Sequence, residues 1–288
     1  MTLITGASGR IARRVAELLA PDGRPLRLMS RTPPRVPRLE RAEVVYGDFA
    51  APESLDQAFA GVTSALVVSG FEVPGKRARL HRNAFEAAAR AGVQHVVYLS
   101  LQGASPDSRY PFSRDHALSE QYLAATRLPF TVLRNAFYVD MLLDLFDAAG
   151  VIRGPANTGR AAFVSREDCA RVAAAALRDS PAGTFDVTGP EALGLGDAVR
   201  RLSGIVGRQL RYEDESVQTG REWRSQVGDP AWQVELSLGW YEAIGAGELE
   251  RVSDTVLRLT GAGPLDIEHY FSAFPALLRR LQPPGSGL

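Results

Sequence analysis

The chain opens on the segment that most restricts what it can fold into: Thr2-Leu3-Ile4-Thr5-Gly6-Ala7-Ser8-Gly9-Arg10-Ile11-Ala12. A short apolar run stops at Gly6 and turns through small residues. It resumes with Ile11, Val15, Leu18 and Leu19 at helical spacing, with Arg10, Arg13 and Arg14 on the opposite face. This is strand, tight turn, helix. Gly6 permits the sharp turn, and Gly9 has no side chain to hold an anion away from the backbone. The first N–H groups of the helix lack helical partners and carry the positive end of its dipole. Ala12 is small enough to let helix and strand pack closely. The spacing G-x-x-G-x-x-A is a tight variant of the dinucleotide fingerprint. An ordinary glycine-rich turn has the same appearance, so the rest of the chain must decide.

Strand and helix patterns alternate after this start. Strands are expected at Pro25–Ser30, Glu43–Gly47, Ser64–Gly70, His95–Ser100 and Phe130–Arg134. Helices are expected at Pro52–Phe59, from Pro74 to Gly92, and from Phe112 to Ala125. Such alternation implies α/β architecture, a doubly wound parallel sheet of the Rossmann type. The carboxyl ends of six strands then offer Gly6, Arg31, Asp48, Ser69-Gly70, Ser100 and Asn135. Ligands bind at that edge of an open parallel sheet, and each end carries a small, polar or cationic residue. Arg31 stands where an acidic residue would read the ribose 2′-hydroxyl of NAD, so a 2′-phosphate is favoured there. The neighbouring Arg35 and Arg38 read as a solvated basic loop, since the prolines around them forbid regular structure.

The second half is less regular. Gly150–Gly159 is punctuated by glycine and proline. Ser165-Arg166-Glu167-Asp168 is a capping box, which makes Asp168 structural, and a helix follows to about Arg178. A seventh strand is expected at Phe185–Gly189, a helix at Leu195–Val206, a strand at Gln209–Tyr212, and mostly helix beyond. Trp223, Trp232, Trp240 and Tyr241 crowd this tail and suit the packing of a small C-terminal substrate lobe, one or two of them lining a pocket. The terminal Pro283–Gly287 stretch is expected to fray. The expected division is a dinucleotide-binding core over 1–150, with 151–288 supplying the remaining sheet elements interleaved with the lobe.

Composition bounds the function. Thirty-three basic and 33 acidic residues give no net charge, so no nucleic-acid partner is expected. No apolar run reaches the roughly 20 residues that span a bilayer. A strand beginning at Thr2 leaves no room for a leader, and a lone cysteine, Cys169, suits a reducing compartment. A cytoplasmic location is the expectation, with a homo-oligomer admissible. His81, His95 and His269 have no metal-ligand spacing and read as structural.

Several landmarks in order, Thr5–Gly9, Gly47-Asp48-Phe49, Ala87–Val93, Tyr98-Leu99-Ser100, His116 with Glu120, Thr131–Asn135 and Thr255–Gly261, make the chain resemble the NmrA-like, atypical short-chain dehydrogenase/reductases. Within that group it is similar to the NAD(P)H:quinone oxidoreductase 2 type, over nearly its whole length. The resemblance implies that Gly6, Ser8, Gly9, Arg10 and Ile11, with Ala7 in the same turn, hold a pyrophosphate. It implies that Arg31 holds the 2′-phosphate, that Asp48 and Phe49 flank the adenine, and that Ser69, Gly70 and Asn135–Tyr138 approach the nicotinamide. NADPH is the implied cofactor, with NADH admissible.

One departure from the short-chain dehydrogenase pattern bears on chemistry. Counting back from Glu120, the lysine of the usual Tyr-Lys dyad falls on His116 and the tyrosine on Phe112. Reducing a simple ketone leaves an alkoxide about as basic as hydroxide, whose conjugate acid has a pKa of about 15.7. Reducing a quinone leaves a phenolate-like anion of pKa about 10, which needs no acid in place. Quinone or similar planar acceptors are therefore expected, with His116 as proton donor or as a residue that merely fixes a loop. Phe71, Tyr110, Phe112, Phe137 and Tyr138 are the expected aromatic walls for such a small-molecule acceptor. The alternative is a non-catalytic sensor that binds NADP(H) and reports it to a partner.

A charged hydrogen bond from Arg31 is worth about 1.5–3 kcal/mol, which predicts NADPH binding about ten- to a hundredfold tighter than NADH. Titrating both nucleotides against the wild type and Arg31→Ala checks this. Equal affinities in the wild type would refute it.

Overall fold

A computed structural model describes residues 1–281; the Pro283–Gly287 stretch expected to fray lies outside the described residues. The strands, in chain order, are β1 (Thr2–Ile4), β2 (Leu26–Ser30), β3 (Ala42–Tyr46), β4 (Ser64–Val68), β5 (His95–Leu101), β6 (Phe130–Asn135), β7 (Val151–Gly154), β8 (Arg160–Ala161), β9 (Gly183–Val187), β10 (Leu193–Gly194) and β11 (Arg211–Asp214). The helices are α1 (Arg10–Leu19), α2 (Pro52–Phe59), α3 (Arg77–Arg90), α4 (Pro111–Ala125), α5 (Arg166–Asp179), α6 (Leu195–Val206), α7 (Val217–Gln226), α8 (Ala231–Gly245), α9 (Thr255–Thr260) and α10 (Ile267–Ala273).

Seven strands form one sheet in the order β3-β2-β1-β4-β5-β6-β9, and every pairing is parallel. The inner strands are apolar on both faces because both are covered. Ile4, Leu28, Leu66, Val97 and Leu133 point toward α1 and α5, where they meet Val15, Leu19, Ala173 and Leu177. Their neighbours Leu3, Val67, Val96, Tyr98 and Val132 point the other way, toward Leu55, Phe59, Phe85, Ala88 and Leu123 on α2, α3 and α4. The chain builds outward from β1 to β3, then crosses to the opposite side of β1 as β4. That reversal opens a crevice between the carboxyl ends of β1 and β4.

After β6 the chain alternates between two bodies. α5 packs on α1, β9 extends the sheet, and α9 returns to pack on α5 and β9. Between these, α6, α8 and α10 bury Leu195, Leu202, Trp240, Ile244 and Phe271 in a separate cluster, which also takes in Tyr110 and Phe112 from the start of α4. The glycine-rich Gly150–Gly159 stretch holds a strand that periodicity does not reveal. β7 pairs in parallel with β11, Val151 opposite Arg211 and Gly154 opposite Asp214. Gly154 interrupts the pattern because the Tyr241 ring lies where its Cβ would be, 2.4 Å away. β11 also starts two residues later than the Gln209 expected.

The lobe reaches the sheet body through α8, which crosses the N-terminal end of α4 at Gly239. A Cβ there would lie 2.6 Å from the Arg109 carbonyl and 2.8 Å from the Pro111 ring, at the entry to α4. Gly239→Ala is therefore expected to destabilise the fold by about 1–3 kcal/mol, as overpacking against backbone does. Urea unfolding checks this; an unchanged midpoint would mean that α8 shifts freely on α4.

Candidate active site

The glycine turn sits at the β1/β4 crevice. Gly6 has φ +63°, a left-handed conformation that favours glycine, and the Gly9 N–H closes the turn on the Gly6 carbonyl at 2.8 Å. α1 begins at Arg10 with no side chain capping it and no acidic residue in its first turn, so its leading N–H groups remain open to an anion. A cleft of about 480 Å³ runs from this turn between the ends of β2, β3 and β4. Gly6, Ser8, Arg31, Asp48, Phe49 and Gly70 line it. The turn, the uncapped helix and the Arg31 guanidinium on the cleft fit a dinucleotide with a phosphorylated ribose.

Other expected contacts fall differently. The Arg10 guanidinium is 64% exposed and held by Asp140 at 2.6 Å, which also binds Arg166 at 2.8 Å. Ala7 and Ile11 turn their side chains into the core, and the Ala7 N–H is bonded to the Met29 carbonyl at 2.9 Å. Arg10 and Ile11 begin α1, so their main-chain N–H groups, and not their side chains, face the turn, while Ala7 packs in the core. Asn135 is buried outside the lining of the cleft; its amide donates to the Tyr138 hydroxyl at 3.1 Å. Arg35, read as solvated loop, lies on the cleft beside Arg31.

A second cavity, about 620 Å³, adjoins the first and shares Gly70, Phe71 and Arg77 with it. Phe71, Tyr110, Phe112, Phe137 and Tyr138 all line it, as do Ser69 and Ser100. Ser100 donates to Glu120 at 2.6 Å, and Glu120 also binds Arg134 at 2.6 Å. The lobe closes the far side. Trp240 lies 4.2 Å from the Phe137 ring at 30° and Tyr241 packs on Trp240, so these tail aromatics belong to this wall. Trp223 lines the same cavity, which therefore takes more of them than the one or two expected, and Trp232 approaches Phe71 at 6.2 Å.

His116 does not fit a proton donor. It is buried, and burial followed by the nearby Arg77 and His81 holds its pKa well below the ordinary histidine value. Its two nitrogens are both engaged. A guanidinium can only donate, so Arg77 Nη2 at 3.1 Å makes His116 Nε2 an acceptor and puts the ring proton on Nδ1. That Nδ1–H donates to the Tyr98 hydroxyl at 2.8 Å; the same hydroxyl lies 3.1 Å from His81 Nδ1, which is also bonded to the Ser119 hydroxyl at 2.9 Å. His81 is likewise kept neutral by burial and by Arg77, its pKa down to about 3. Both His116 nitrogens are thus engaged within the protein, which favours the loop-fixing alternative over proton donation.

Arg77 escapes a reading by composition or spacing, yet it is central here. It is only 5% exposed, its Nε donates to the Gly70 carbonyl at 3.0 Å, and its guanidinium lies 3.9 Å over the Phe112 ring. Desolvation by burial pulls its pKa down from the usual arginine range, opposed by nearby tyrosines and Asp115. A signal exists in the sequence: Arg77 precedes His81 by four and Ala84 by seven, so it lies on the buried stripe of α3. The other histidines are structural, His95 bonded to Thr131 at 2.8 Å and His269 to Asp266 at 2.7 Å. Asp168 accepts from Ser165 and from the Leu265 N–H, as a cap does. Among the described residues no group of His, Cys, Asp or Glu could hold a metal, and no helix is long and apolar enough to cross a membrane.

A doubly wound parallel sheet with an open phosphate turn at its switch point, joined to an aromatic cavity, defines a nucleotide-dependent oxidoreductase of the α/β class. The profile of the NAD(P)H-binding family matches residues 6–180, and the chain belongs to that family, among its NmrA-like oxidoreductases. It is 32% identical over 268 residues to the (4-alkanoyl-5-oxo-2,5-dihydrofuran-3-yl)methyl phosphate reductase of Streptomyces griseus, covering 91% of this chain and 93% of that one. Among solved structures it is similar to the NADPH-dependent quinone oxidoreductase of Escherichia coli complexed with NADPH, at 28% identity and TM-score 0.86, over 95% of this chain and 99% of that one. The Citrobacter triphenylmethane reductase complexed with NADP(H) superposes with TM-score 0.83 at 26% identity, again over 95% and 99%.

The buried neutral histidines make stability depend on pH. Their folded pKa values lie below the unfolded value near 6.5, so on acidification the unfolded chain takes up protons first. Their contribution is complete above about pH 6.5 and is lost below it, at up to about 1.4 kcal/mol per pH unit for each histidine. For His81 the loss continues down to its folded pKa of about 3. Urea unfolding at pH 7.5, 6 and 5 should show this decline, and His81→Gln should flatten it. A stability unchanged between pH 7.5 and 5 would refute the neutral assignment.

Proposed function

We propose that the chain transfers hydride from NADPH to a planar conjugated carbonyl compound, a quinone or a similar ring, without a Tyr-Lys dyad. The observation that carries this reading is the aromatic cavity continuous with the nucleotide cleft at Gly70 and Phe71. Bound NADPH supplies the hydride from its nicotinamide ring. The glycine turn and the leading N–H groups of α1 hold the pyrophosphate, and Arg31 holds the 2′-phosphate. Phe137, backed by Trp240, and Phe112, edge-on to Phe71 at 5.6 Å, confine a flat acceptor and exclude water around it. Tyr138 is fixed from both sides, by the Asn135 amide and by Arg166 lying 4.2 Å over its ring. Holding two planar reactants face to face supplies most of what such a transfer needs.

Phe112 and His116 hold the positions of the dyad, and neither can donate a proton to an alkoxide. Simple ketones and secondary alcohols are therefore poor substrates, whereas an acceptor whose reduced form is a stabilised anion can be protonated by water. The named activities of two relatives, on a quinone and on an oxo-dihydrofuran, concern conjugated carbonyl compounds and support the same reading. A pure NADP(H) sensor has no use for an aromatic cavity beside the nucleotide cleft, which weighs against that alternative.

Following the loss of reduced-nicotinamide absorbance with benzoquinones and naphthoquinones tests the proposal. Turnover is expected, and Phe137→Ala should lower kcat/KM about two- to tenfold, the value of one stacked aromatic contact. If NADPH binds yet no acceptor is reduced faster than in a protein-free control, the sensor reading replaces this one.

A further inference from the structure

The Arg77 guanidinium has three nitrogens and an accounting for two. Nε donates to the Gly70 carbonyl and Nη2 to His116, while Nη1 is buried with no hydrogen-bond partner. Among the described residues Arg77 makes no salt bridge; the nearby Asp115 instead receives the Gly75 N–H on both oxygens, at 3.0 Å each. A buried cation with an idle donor is costly unless something completes it. Arg77 also belongs to the lining of both cavities, at the junction where a nucleotide and an acceptor would meet. Its flat face rests on Phe112 and its edge on His116, the two residues at the dyad positions.

We infer that Arg77 is the oxyanion-binding residue of this site: Nη1 receives the acceptor's carbonyl oxygen and stabilises the negative charge that arrives there with the hydride. This rests on the hydride-transfer reading and narrows its substrate class to acceptors that place an oxygen at the nicotinamide. In the step, one hydride with its electron pair leaves NADPH, which becomes NADP⁺. The hydride bonds to one quinone oxygen as that C=O π bond opens, and the electron pair shifts through the ring to the opposite oxygen, which faces Arg77; the product is the hydroquinone monoanion. A proton from water then gives the neutral hydroquinone. His116 is a positioning residue here: its lone pair on Nε2 aims the guanidinium, and its neutrality keeps it from competing for the anion.

The test uses a ligand that reports its own ionisation. 4-Nitrophenol absorbs differently as phenol and phenolate, so its pKa can be read while bound to the protein saturated with NADP⁺. An adjacent cation lowers such a pKa by about 1–3 units. The wild type is expected to bind the phenolate with its pKa lowered by at least about one unit, Arg77→Met to return it toward the free value, and Arg77→Lys to retain part of the shift. Benzoquinone kcat should fall about a hundredfold or more in Arg77→Met, the usual cost of removing one oxyanion donor, with partial recovery in Arg77→Lys. If Arg77→Met fails to fold or to bind the phenol, the lysine variant decides, since a merely structural arginine gives no reason for a retained cation to preserve the shift. An unshifted or unbound nitrophenol in the wild type, or a shift that survives Arg77→Met, overturns the inference even if quinones are reduced. A shift that depends on Arg77 with no acceptor reduced would sink the hydride-transfer reading and leave the anion site standing.

Discussion

The reversal of strand order at β1 is the constraint on which the rest depends. Parallel strands joined by helices leave their carboxyl ends at one edge, and where the winding changes direction the flanking loops part. The loop after β1 becomes the glycine turn and the loop after β4 becomes Ser69-Gly70-Phe71, on opposite lips of one crevice. Everything that could hold a nucleotide lines that crevice. The lobe adds only the far wall, and it is held there by the close crossing of α8 over the entry to α4 at Gly239.

This arrangement explains why the nucleotide side was legible in the sequence. Glycine turns, strand ends and the charge of Arg31 are local features, each readable within a few residues. The same holds for the fold, because helices and buried parallel strands differ in period and because each face of the sheet is covered. β7 was not legible: Gly154 breaks its pattern for the sake of Tyr241, a contact made across 87 residues. The pairing of the Arg10 guanidinium with Asp140 and the burial of His116 are likewise long-range, and a spacing rule transfers a position without its environment. Counting from Glu120 singles out His116 while saying nothing of the cation that lies against it.

Arg77 illustrates the limit most clearly. Arginine in the first turn of a helix reads as solvated, and only the placement of His81 and Ala84 on the same stripe shows that this one faces inward. Its burial is sustained by a carbonyl, an imidazole lone pair and an aromatic face, none of which is a counter-ion. Each of the three directs the group as well as stabilising it. A carboxylate in contact would have cancelled the charge that makes the residue useful, and a protonated His116 would have repelled it. The neutrality of the Tyr98–His116–His81 cluster is thus a condition for keeping a cation in place, which gives a physical reason for three buried ring groups with so little capacity to titrate.

The usual dyad delivers a proton to the oxygen that hydride transfer leaves charged; a fixed guanidinium can only stabilise the charge. The difference decides which acceptors are within reach. An alkoxide in contact with a guanidinium still has to find a proton before the product can leave. A phenolate or enolate is stable enough to depart as the anion or to be protonated at the mouth. Replacing a donor by a cation therefore suits a site whose walls are aromatic and whose substrates delocalise charge. On the proposed reading, Phe112 and His116 at the dyad positions become consistent once Arg77 stands between them: Phe112 provides the face on which the cation rests, and His116 provides the lone pair that aims it.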